Sequence, residues 1–112
     1  MSTKKYLCMY RGAPSDNKPS PAQMQEMFAA FSEWKEKFKA NILDMGSKLK
    51  PSGKVVRASG VTDGPYAEAK EVVGGFMIVG ADDYEGAVAV VRAMPGMQMP
   101  GSSVEIREMA SA

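Results

Sequence analysis

Residues 4–11, Lys4-Lys5-Tyr6-Leu7-Cys8-Met9-Tyr10-Arg11, carry the reading on which the fold turns. Apolar side chains occupy both parities of this stretch, with Tyr6, Cys8 and Tyr10 on one side and Leu7 and Met9 on the other. Successive side chains of a strand point to opposite faces, so a strand that is apolar at both parities is covered on both. Gly12 and Pro14 end the run, and residues 12–19 read as loop by their Gly, Pro, Ser, Asp and Asn content. A second stretch, Gly74-Gly75-Phe76-Met77-Ile78-Val79-Gly80-Ala81, is again apolar at both parities and is read as a strand over 75–81.

The elements around these two strands follow from local signals. Ser20-Pro21-Ala22-Gln23 is a helix start, with Ser20 as N-cap, Pro21 at the first helical position and Gln23 closing a capping box. Met24, Met27, Phe28, Phe31, Trp34 and Phe38 follow at the spacing of one helical stripe, which predicts a helix to about Asn41 with Trp34 buried against the sheet. Residues 42–49 read as a second strand and 54–59 as a short hairpin arm, although Gly46, Pro51 and Gly53 interrupt the region. Thr62-Asp63-Gly64-Pro65 reads as a turn. Asp82 to Glu85 predicts a second capping box, opening a helix through Ala87, Val88, Val91 and Met94 that Pro95 and Gly96 stop. Ser103 to Glu108 alternates, with Val104 and Ile106 on one side and Glu105 and Arg107 on the other, as a half-exposed strand does.

The order strand, helix, strand, strand, helix, strand predicts an α+β fold of the ferredoxin-like βαββαβ kind. Its antiparallel sheet has the first and third strands at the centre and two helices on one face. The two strands that are apolar on both sides are the two expected to be central. The helices cover one face only, so the other needs a second cover, and a homodimer is expected to supply it.

Composition narrows the function. A chain of 112 residues fits a single domain, 1–112, and its 45% apolar and 24% charged residues are those of a globular chain. No apolar run approaches the ~20 residues of a spanning helix, and residues 1–5 do not open a signal peptide, so no membrane role and a cytoplasmic location are expected. A net charge of +1 gives no pull on a phosphate backbone, and residues 73–79 lack the basic lead and second aromatic of an RNA-recognition strand. Nucleic acid is therefore not an expected partner. The chain has one cysteine and no histidine, which removes multi-cysteine zinc sites, imidazole metal sites, Ser-His and Cys-His nucleophile pairs and a histidine base. Neither metal nor cofactor is expected. Met94, Met97 and Met99 offer soft thioethers that suit Cu(I), but adaptable gap filling is the commoner use of methionine.

Asp63-Gly64-Pro65-Tyr66-Ala67-Glu68-Ala69-Lys70-Glu71 resembles the DGPF signature of the YCII-related family. Gly74-Gly75-Phe76 with Ala81-Asp82-Asp83 is similar to its continuation, and residues 5–9 and 103–107 are similar to the family's first and last strands. The resemblance implies a dimeric α/β-barrel, two ferredoxin-like sheets packed face to face. It also implies a histidine and aspartate pair, of which this chain offers only Asp63. The DGPF branch further implies a regulatory context beside alternative sigma factors.

The expected function is a small-molecule-binding or small-molecule-processing dimer with its cleft near the Asp63-Gly64-Pro65 turn, the alternative being a non-catalytic sensor or partner module. Asp63 is the candidate base or polar anchor, held ionised by Arg57 or Lys70, either of which could also hold an acidic ligand. The bland reading is that Asp63 caps its own turn and that Glu68, Lys70 and Glu71 are a solvated face. Tyr6, Tyr10, Tyr66 and Phe76 are candidate ligand-lining aromatics, against a role in the core or dimer seam. Cys8 is expected to be a buried small hydrophobe.

Overall fold

The computed structural model describes residues 3–11, 20–64, 73–97 and 101–110. The loop expected at 12–19, and the roles expected of Tyr66, Glu68, Lys70, Glu71 and Met99, lie outside the described residues.

Strand β1 (Lys4–Arg11) is followed by helix α1 (Pro21–Lys37), β2 (Ile42–Lys48), the arm strands β3 (Gly53–Arg57) and β4 (Gly60–Gly64), β5 (Val73–Ala81), helix α2 (Tyr84–Arg92) and β6 (Ser103–Glu108). The main sheet has the order β2-β5-β1-β6, with all three pairings antiparallel. This is the ferredoxin-like order, and the two strands apolar at both parities are its centre.

The register assigns every side chain to a face. Cys8 opposes Met77 and Ile106, and Tyr6 opposes Val79; one residue along, Leu7 opposes Ile78 and Met9 opposes Phe76. Tyr6, Cys8, Met77 and Val79 are sealed into a core with Trp34 of α1 and Ala87, Val90 and Val91 of α2. Both helices thus lie on the Tyr6 side. Gly75 keeps that side compact, since a Cβ there would stand 2.9 Å from the Tyr10 ring.

Helix α1 starts as the sequence predicts: the Ser20 hydroxyl accepts from the Gln23 backbone N–H at 3.2 Å, and the Gln23 side chain accepts from the Ser20 N–H at 2.8 Å. It stops at Lys37 rather than near Asn41. Asn41 is committed to the sheet instead: its carbonyl accepts from the Gly80 N–H at 2.6 Å and its side-chain amide donates to the Gly80 carbonyl at 3.0 Å. Trp34 is 4% exposed, and its indole N–H donates to the Val90 carbonyl at 2.9 Å. It therefore ties the two helices together as well as packing on the sheet. The rest of the stripe divides, because Phe31 and Phe38 pack against the core whereas Met24, Met27 and Phe28 are exposed.

Three further expectations are corrected. The N-cap of α2 is Asp83, accepting from the Gly86 N–H at 2.8 Å, and not Asp82. Val88 is exposed and Val90 is buried in α2, while Ala87, Val91 and Met94 are buried as the spacing predicts. The arm extends to Gly64, so Thr62, Asp63 and Gly64 belong to β4 and not to a turn; the reversal comes earlier, where Arg57 opposes Gly60. Strand β2 carries a bulge at Gly46, whose φ of +63° and closeness to the Phe76 carbonyl, 1.9 Å from where a Cβ would stand, admit glycine alone.

Candidate functional site

The sheet face opposite the helices is built from the odd residues of β1 and their partners. Leu7 and Met9 from β1 and Phe76 and Ile78 from β5 form its apolar centre, each half-buried. Glu105 and Arg107 of β6 stand across from Met9 and Leu7, so the sheet edge beside this centre is charged. The Arg11 guanidinium reaches diagonally to Glu105, Nη2 to Oε1 at 3.2 Å, and so closes one end of the face with an ion pair. A flexible apolar floor of Met and Phe beside a half-buried guanidinium can receive a small molecule with an apolar body and an acidic group.

The structure disperses the residues that the sequence nominated. Tyr6 has no exposed surface, lies on the helix side and packs its ring edge-on against Tyr84, centroids 4.8 Å apart. Burial, with Glu108 next, pushes its phenol above the ordinary value. Tyr6 is thus a core residue in this chain. Tyr10 is half-buried on the same side, where burial lifts its phenol to about 12. Phe76 faces the other way, so these aromatics share no pocket.

Asp63 lies on the arm, its side chain 87% exposed and ion-paired with Lys54, which faces it across the β3–β4 ladder. The partner expected for Asp63 was Arg57 or Lys70. Arg57 instead opposes Gly60 and donates to the Thr62 hydroxyl at 3.5 Å. Val56 and Val61, opposite one another, are exposed on the arm. Cys8 is buried, and desolvation raises its thiol to about 11, which leaves little thiolate for chemistry at neutral pH. Met94 belongs to the core and Met97 packs against it, so these two thioethers fill space between α2 and the sheet.

A model of the YCII-related domain matches residues 5–110. The chain belongs to the YCII-related family. No curated protein matches it. In this YCII-related chain the open sheet face gathers apolar and charged side chains into one surface. Arg11, Glu105 and Ile78 were not singled out from the sequence. The parity of Arg11 with Leu7 and Met9 was the available signal for it. Among the described residues no helix is long and apolar enough to cross a membrane.

Proposed function

We propose that this YCII-related protein is a homodimer whose open sheet faces meet and enclose a cleft for a small acidic organic molecule. The observation that carries the reading is the apolar centre Leu7, Met9, Phe76 and Ile78, lying on the side of the sheet away from both helices. Apolar area of this extent favours a cover, at roughly 25 cal/mol per Å² removed from water. The DGPF-type signature over 63–71 supports the same assembly by resemblance. Arg11 anchors the acidic group and Phe76 lines the cleft. The arm that carries Asp63, Arg57 and the start of the signature reaches the cleft from its rim. Tyr6 and Tyr10 act from beneath, fixing the central strands.

A second reading, a non-catalytic partner module, is favoured by the arm. A two-stranded ribbon is marginal by itself, and the exposed Val56–Val61 pair is a natural contact for another chain. Crystals soaked in a mixed metabolite library separate the two readings. Ligand density against Phe76, Met9 and Arg11 at a two-fold axis is the expected result. A seam in which side chains of the two copies fill all the space would overturn the cleft and leave the partner module.

A further inference from the structure

The exposed half of the α1 stripe is not featureless. Met24, Met27, Phe28 and Phe31 on the helix and Met45 on β2 line a groove of about 370 Å³, and Lys35 and Lys48 complete its wall. The groove lies between α1 and β2, away from the open sheet face. We infer that it binds a small amphipathic anion, with the apolar body along the methionines and the acidic head between Lys35 and Lys48.

Size, surface and charge each point to this class of ligand. At roughly 30 Å³ per water-sized group the groove holds about a dozen non-hydrogen atoms, the scale of a medium-chain carboxylate and far less than a partner helix presents. Three of its five apolar walls are methionines, whose unbranched, polarizable side chains adapt to flexible chains. Among the described residues that line it, the two polar walls are both cations, contributed by different elements, and none is acidic. Lys4, Arg11, Lys39 and Lys54 each have a carboxylate partner. Lys35 and Lys48 form no ion pair among the described residues. An anion between them replaces like-charge repulsion with attraction, whereas a cationic ligand adds to it.

The inference stands on residues other than those of the proposed cleft and does not require the dimer. The ten methionines give a direct readout when their methyl groups are labelled with carbon-13 and assigned one by one. Octanoate, 1-octanol and octylammonium, each below its aggregation concentration, form the probe series. Octanoate is expected to move the Met24, Met27 and Met45 methyl signals and to leave the core methyls of Met77 and Met94 in place. Octylammonium should bind more weakly than the uncharged alcohol. Combining Lys35→Gln with Lys48→Gln, both at exposed positions, should weaken octanoate by about fivefold or more while leaving 1-octanol unchanged, the scale of partly screened charge pairs.

Equal affinity of octanoate and octylammonium would overturn the inference, as would an octanoate affinity indifferent to the lysine replacements. Octanoate shifts confined to Met9 would assign the ligand to the open sheet face and also overturn it. Groove methyls that respond to protein concentration and not to octanoate would mean that a second copy covers the groove, a fourth overturning result.

Discussion

Cys8 and Met9 are neighbours in β1, each opposite an apolar residue of β5, yet they live in different environments. Cys8 and Met77 have no exposed surface, sealed beneath α1 and α2, while Met9 and Phe76 on the reverse side are only half-buried. The two sides of the central strands are similarly apolar and unequally covered. The apolarity of a side chain therefore records a demand for cover, and topology decides whether the same chain meets it. The helix side is satisfied within the monomer. The other side is the one that still calls for a cover.

The largest expected effect lies on the sealed side. Trp34→Ala removes a nearly fully buried indole together with its hydrogen bond to the Val90 carbonyl, and should cost about 3 to 5 kcal/mol in chemical denaturation. A loss under ~1 kcal/mol would mean that the two helices are not joined through this residue.

On the open side, Ile78→Asp places a carboxylate at the centre of the surface opposite Leu7. If a second copy covers that face, the variant should lose about 2 to 4 kcal/mol of assembly stability, because an unpaired charge would be taken out of water. On a face open to water the change should stay within about 0.5 kcal/mol. Concentration-dependent thermal unfolding distinguishes the two results.

A smaller effect returns to the sealed side and depends on pH. Burial raises the Cys8 thiol from 9.0 to about 11 and the Tyr10 phenol from 10.0 to about 12. The folded protein thus holds these protons at pH values where the unfolded chain releases them. The stability they contribute is complete below pH 9.0, declines as the pH rises from there, and is lost once the pH passes about 11 and about 12. Urea midpoints should therefore fall from pH 9 upward, and Cys8→Ala should flatten the first part of that fall.

The strand order and the α1 cap were legible in the sequence because short-range rules decide them: parity along Lys4–Arg11 and the Ser20–Gln23 box. The end of α1 was not, since Asn41 leaves the helix for a long-range clamp on Gly80 that no local signal announces. Asp63 was read as a turn residue from its Asp-Gly-Pro context, but pairing with Lys54 extends the arm through Gly64. The candidate site was the least legible part. Tyr6 and Phe76 both read as strand aromatics, and only the register, Tyr6 opposite Val79 and Phe76 opposite Met9, puts them on opposite faces.

The smallest effect belongs to the arm. Asp63→Asn removes one charge of an exposed ion pair and should change stability by less than about 1 kcal/mol. A larger loss would show that the arm is packed against another surface through this carboxylate.

The central claim, that the Leu7, Met9, Phe76 and Ile78 face is covered by a second copy, is tested most directly by sedimentation equilibrium of the unmodified chain at micromolar concentration. The account predicts the mass of a dimer, reduced toward that of the monomer by Ile78→Asp. A monomer mass across that concentration range would contradict it.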